Sequence, residues 1–227
     1  MSITGLFPAP VQWLAGSHIA IVTSVLDPLS LARVQVQLIA ADPEGEAPIW
    51  ARVAVPFAGD NYGAFLIPDV GAEVLVVFPA GDAANPIVIG ALWNGSTAVP
   101  ESLPADAVDR WTLTGKNGTR IAIVEQSSGQ EMVEIETPSG ATATLTDASG
   151  GSIELKVGTN TFKMDSEGVS IKTANAFKVD ASTISLKATS VDVTTPQATF
   201  SMAVDCKTFT AVSVTSTTYS PGAGNVW

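Results

Sequence analysis

Few residues in this chain have the types and spacing that chemistry needs. General acid–base catalysis wants a histidine or a pair of carboxylates with separated pKa values. The sole histidine is His18, at the start of a strand-like run, where a structural or solvated role is expected. Asp42, Glu44 and Glu46 cluster, but in a Pro-Gly turn, where carboxylates ordinarily face water. A single cysteine, Cys206, leaves no intrachain disulfide. Set between Val204 and Phe209, it reads as a small, half-buried apolar side chain. There is no Gly-rich phosphate loop, no nucleophile elbow and no Cys/His zinc spacing. The nearest candidate, Gly222-Ala223-Gly224, opens no helix. These residues predict a protein that is not an enzyme and that needs no cofactor or metal.

Composition narrows the partners. The 227 residues carry a net charge of −11, with −8 in residues 1–110 and −3 in residues 111–227. Such a balance repels phosphate backbones, so nucleic acid is not an expected partner. The first residues contain no basic leader, and Pro8 and Pro10 interrupt their apolar stretch, so no signal peptide is expected. Nowhere do about 18 apolar residues run together as a membrane-spanning helix would require.

The elements available to position any site are strands. Residues 1–16 read as an irregular arm whose Phe7, Val11, Trp13 and Leu14 could pack on the first domain or on a partner. Strand-like runs follow at Ile19–Leu26, Leu31–Ala40 and Pro48–Phe57, with a short one at Gly63–Pro68. Arg33 to Leu38 alternates strictly, as a strand wet on one face does. Two more apolar runs, Glu73–Phe78 and Pro86–Trp93, flank a polar turn at Gly81-Asp82-Ala83-Ala84-Asn85. About six strands in residues 17–96 suit a small closed Greek-key barrel.

The stretch from Ile67 to Gly95 is the most specific pattern in the chain. Pro68 and Gly71 stand at the strand entry, and Val74, Val76 and Phe78 alternate. Gly81-Asp82, Pro86-Ile87-Val88-Ile89-Gly90 and Leu92-Trp93-Asn94 complete it. It resembles the last hairpin of the OB-fold domain in central spike proteins of contractile-tailed phages, the baseplate assembly protein V family. The resemblance implies an N-terminal OB barrel followed by a trimeric, intertwined triangular β-helix, or β-prism, in an all-β protein.

Residues 97–110, with Pro100 and Pro104, read as a linker too short to hold the lysozyme that some spikes of this family insert. Residues 111–220 read as the needle. Hairpins are expected at Trp111–Thr114 with Arg120–Val124, and at Met132–Glu136 with Ala141–Leu145. A repeat of apolar pairs follows: Leu155/Val157, Phe162/Met164, Val169/Ile171, Phe177/Val179, Ile184/Leu186, Val191/Val193 and Ala198/Phe200, in steps of 7, 7, 8, 7, 7 and 7. Pairs two apart mean strand, whereas a coiled coil would space them three and four apart. Seven residues at ~3.3 Å span about 23 Å, one side of a prism and a corner. A single chain could coil them into a solenoid, or three chains could wind together; resemblance to spike proteins favours the second.

The tail breaks the register at Pro221, Gly222 and Gly224 and ends on Val226 and Trp227, which reads as a tip segment over 221–227. Spikes of this kind can close their apex with paired histidines on iron, yet no histidine follows His18. The resemblance then implies closure by the tail itself or by a PAAR-like tip protein. It further implies a homotrimer docked on a baseplate hub, assembled into a virion tail or other contractile particle, in transient contact with a target membrane. The rival readings are an OB-fold module binding oligonucleotides or sugars, and a β-solenoid carbohydrate-binding adhesin or surface-acting enzyme. The first should interleave basic and aromatic residues; the second should gather carboxylates, whereas Asp165, Asp180, Asp192 and Asp205 are dispersed.

Overall fold

The computed structural model describes residues 16–218, so the arm and the tip residues Pro221, Gly222, Gly224, Val226 and Trp227 lie outside the described residues. The chain divides into two compact units at Ala176/Phe177. Among its described residues, the regular structure of the first unit is β, apart from short 3-10 turns at Pro79–Gly81 and Ala148–Gly150.

Five strands close a barrel in the order β1-β2-β3-β7-β6: β1 (Ser17–Ser24), β2 (Val34–Leu38), β3 (Ile49–Val53), β6 (Glu73–Val77) and β7 (Ile87–Leu92). Every pairing is antiparallel except that of β3 with β7, and β6 returns to β1 to complete the ring. Alternation explains the closure, because inward residues of each strand are apolar and small. Ala20, Val22, Val34, Val36, Ala51, Val74, Val76 and Val88 are almost wholly buried, and Leu38 and Phe78 close the ends. This is the OB-type ring that the sequence predicts.

One barrel element differs. No strand occupies the rest of the predicted Gly63–Pro68 run; instead a miniature hairpin pairs β4 (Ala58–Gly59) with β5 (Tyr62–Gly63). Pro56 and Pro68 lack the N–H groups that would extend the ladder on either side.

Residues 110–172 form one antiparallel meander of seven strands: β8 (Arg110–Thr114), β9 (Arg120–Val124), β10 (Met132–Glu136), β11 (Thr142–Thr146), β12 (Ser152–Val157), β13 (Asn160–Asp165) and β14 (Gly168–Lys172). The two predicted hairpins are present. Residues 152–172, however, were expected to wind transversely between chains, and here they pair with their own neighbours through the two-residue turns Gly158-Thr159 and Ser166-Glu167. A seven- to eight-residue step of apolar pairs arises equally from a meander with tight turns and from transverse winding. The period alone therefore did not separate the two.

Beyond Lys172 the described residues contain no strand, and the triangular β-helix is not formed within the single chain. A physical reason lies in the glycines. The meander's loops place Gly118, Gly129, Gly140, Gly150 and Gly158 at φ between 58° and 89°, the left-handed region that tight reversals require. After Gly168 no glycine occurs until Gly222. The chain there lacks the residues with which it would fold back on itself.

Candidate functional site

The meander sorts its side chains by face with few exceptions. Successive cross-strand partners form one ladder of Trp111, Ile123, Val133, Leu145, Ile153, Met164 and Val169. A second ladder beside it runs Leu113, Ile121, Ile135, Ala143, Leu155, Phe162 and Ile171. All fourteen residues are apolar, and the ladders cross all seven strands. At ~4.8 Å between strands the face is about 29 Å wide. Most of these side chains are 40 to 62% exposed, so the chain itself covers them only partly.

The opposite face carries the ladder Thr112, Ala122, Glu134, Thr144, Glu154, Lys163 and Ser170, and another with Arg120, Glu136, Lys156 and Lys172. Opposite charges stand across from one another in register at Glu154/Lys163 and Arg120/Glu136. Its buried apolar residues, Ala122 and Val124, lie at the end where the linker attaches. There Glu101 accepts from Arg120 Nε at 2.6 Å and faces Arg110 at 3.5 Å, while Arg120 also reaches Glu134 at 2.9 Å. The Arg120 guanidinium, foremost, holds the Glu101 carboxyl below its usual range. The Glu125 N–H donates to the Asp109 carbonyl, so the linker is fastened at both ends.

The predicted needle residues divide. Leu155, Val157, Phe162, Met164, Val169 and Ile171 come together on the apolar face. Phe177, Val179, Ile184, Leu186, Val191, Val193 and Phe200 lie in the second unit, each exposed and without strand partners in the chain. Ladder residues from Trp111 to Ile153 were missed as site residues, although their period-2 alternation inside hairpins already put them on one side.

The candidates for chemistry have structural surroundings. His18 packs edge-on against Phe78, ring centroids 5.4 Å apart, with Nε2 buried and unpartnered among the described residues. Asp42 folds its own turn, accepting the N–H groups of Glu46 and Ala47. Cys206 is exposed rather than half-buried, because the strand expected to shelter it does not form in the single chain. No group of three or more His, Cys, Asp or Glu among the described residues is placed to hold a metal. No helix among them is long and apolar enough to cross a membrane.

Comparison with known proteins agrees with the barrel. Residues 18–93, which hold the barrel from His18 to Trp93, match the family model of the type VI secretion system/phage-baseplate injector OB domain. The chain is 33% identical over 138 residues to the type VI secretion system spike protein VgrG4b of Pseudomonas aeruginosa, a match covering 55% of this chain and 17% of that protein. It is 42% identical over 72 residues to VgrG1c of the same organism, covering 31% and 10%. To VgrG3 of Vibrio cholerae it is 44% identical over 55 residues, covering 24% and 5%. The chain thus matches less than a fifth of the length of these spike proteins. The VgrG4b match is longer than the barrel and so continues outside it.

Proposed function

We propose, from the membership of residues 18–93 in the structural family of type VI secretion and phage-baseplate injector OB domains, that the chain is a homotrimeric central spike. The observation that carries this is the pair of seven-residue apolar ladders on an open sheet. An exposed apolar patch of that size is characteristic of an interaction surface. Three copies related by a threefold axis would turn their ladders inward and their charged faces to water, making a three-sided prism. Residues 173–218, which lack turn glycines and present an apolar pair about every seven residues, would continue it by winding between neighbours.

In this reading the barrel docks on a baseplate hub at the end of a tube, and the needle is driven through the target envelope when the particle contracts. Catalysis has no part in it. A prism whose interior side chains belong to three chains unfolds only by losing contacts in all three, which suits a part that transmits force. The tail, or a PAAR-like tip protein, closes the blunt end, where an open prism would expose unpaired backbone and apolar interior. The setting is a virion tail or another contractile particle.

Native mass spectrometry tests the stoichiometry. One chain weighs 23.3 kDa, so about 70 kDa is expected. A stable monomer or dimer at micromolar concentration would refute the threefold prism.

A further inference from the structure

The barrel carries a second exposed apolar region, unrelated to the sheet. A groove of about 610 Å³ is lined by Leu31, Arg52, Phe57, Tyr62, Phe65 and Ile67. Leu31, Phe57, Tyr62 and Phe65 are all exposed, although a barrel has no packing need to hold four large apolar side chains in water. The walls are built rigidly. Asp27 accepts the N–H groups of Leu29, Leu31 and Arg33, and the Arg33 guanidinium grips the same carboxylate at 2.7 and 3.1 Å. That anchor holds Ser30 and Ala32 at φ of 54° and 55°, a conformation non-glycine residues rarely adopt. On the opposite wall the Tyr62 ring lies over Gly59 so closely that a Cβ there would fall 2.2 Å from the ring.

Charge identifies the occupant. Residues 1–110 have a net charge of −8 and only three cationic side chains. Arg33 is bound to Asp27, and Arg110 is paired with Asp109 and Glu101. Arg52 alone of the three forms no ion pair among the described residues, and it stands in the groove. On a region with this acidic excess, Arg52 is the cation of the three left free to pair with an incoming carboxylate. We infer that this groove is a docking site for an extended peptide segment of a partner protein that carries apolar side chains and one carboxylate. It supplies the seat that docking at the end of a tube requires, and so rests on that docking.

The chain contains two tyrosines, Tyr62 and Tyr219, which makes 3-fluorotyrosine labelling of the full chain a direct probe. The labelled protein is titrated with N-acetyl-leucyl-phenylalanine as the free acid and as its C-terminal amide, and a Tyr219→Phe variant assigns the two resonances. The Tyr62 signal is expected to shift and saturate with the acid while Tyr219 stays still. The amide, and the acid on Arg52→Gln, should bind about three- to tenfold more weakly. Gly59→Ala, which displaces the Tyr62 ring, should lose the response without altering the number of subunits in the assembly. Equal responses to acid and amide, equal movement of Tyr219, or no response at all would overturn the site. A Tyr62 signal that moved with protein concentration alone would place a second copy in the groove and overturn it as well. The mass of the native assembly, measured on the same samples, reports the trimer separately, so the groove can fail while the prism stands.

Discussion

Leu155→Asp is the sharpest test of the apolar face. Leu155 sits in the middle of the second ladder, between Ala143 and Phe162, and keeps 48% of its surface exposed in the single chain. Full burial of a leucine contributes about 1.5–3 kcal/mol, so the part left for association is about 0.7–1.4 kcal/mol per chain. Three copies make roughly 2–4 kcal/mol per trimer, which weakens the association constant about 30- to 1,000-fold. The midpoint concentration of a monomer–trimer equilibrium scales with the square root of that constant. It should therefore rise about 5- to 30-fold from lost burial alone. Three carboxylates facing one another in an apolar interior then add a desolvation cost of several kcal/mol. Sedimentation equilibrium in enough urea to populate wild-type monomer measures the midpoint. Lys156→Asp introduces the same carboxylate one residue away on the charged face and should leave it within about twofold. A Leu155→Asp midpoint equal to wild type, or a Lys156→Asp shift as large, would refute the inward placement of the ladders.

Three further outcomes follow from the same geometry. Changing Val179, Leu186 and Val193 together to Asp should abolish the trimer, read as loss of the species of about 70 kDa in native mass spectrometry; an unchanged trimer would remove residues 173–218 from the interior. Limited proteolysis should cut first within residues 102–108, all exposed, and Arg120→Gln should speed that cut severalfold by freeing Glu101. First cleavage between residues 173 and 218 would contradict winding between chains. Arg33, foremost, holds the Asp27 carboxyl well below the usual carboxylate range, so its stabilising effect is complete above pH ~4, where the unfolded group is ionised, and fades as pH falls toward the lowered folded value. The melting difference between wild type and Asp27→Asn should accordingly be largest above pH ~4 and shrink toward pH ~2; a constant difference would show that no proton is linked there.

Much of the barrel was legible because its rule is local. Strict alternation at Val34-Gln35-Val36-Gln37-Leu38 and at Val74, Val76 and Phe78 specifies one buried face, and only closure of the ring satisfies all of them together. The groove was not legible. Leu31 lies just before the strand that the sequence pattern extends over it, and the residue that positions it, Asp27, acts through carboxylate contacts spread over six residues. The Ala58–Gly63 hairpin escaped notice for a related reason, since two-residue strands have no period to detect.

The needle shows how a correct period can leave the pairing undetermined. From Leu155 to Phe200 the apolar pairs keep nearly one step, yet the structure treats the first three and the rest differently. What changes at Lys172 is the supply of residues that can reverse the chain. Up to Gly168, glycine at positive φ lets each strand return beside the last, so backbone groups between neighbouring strands are satisfied within the chain, and the apolar face and the edges at β8 and β14 remain to be covered. From Val169 to Pro221 there is no glycine, and from residue 173 to residue 218 neither backbone nor apolar side chains have strand partners in the chain. The meander needs other copies for its apolar face and its two edges. The segment after it needs them for its hydrogen bonds as well, so its folding should depend more steeply on chain concentration than the folding of the sheet. Secondary structure followed by circular dichroism through the dissociation midpoint should then be lost from residues 173–218 while the 110–172 meander keeps its strands.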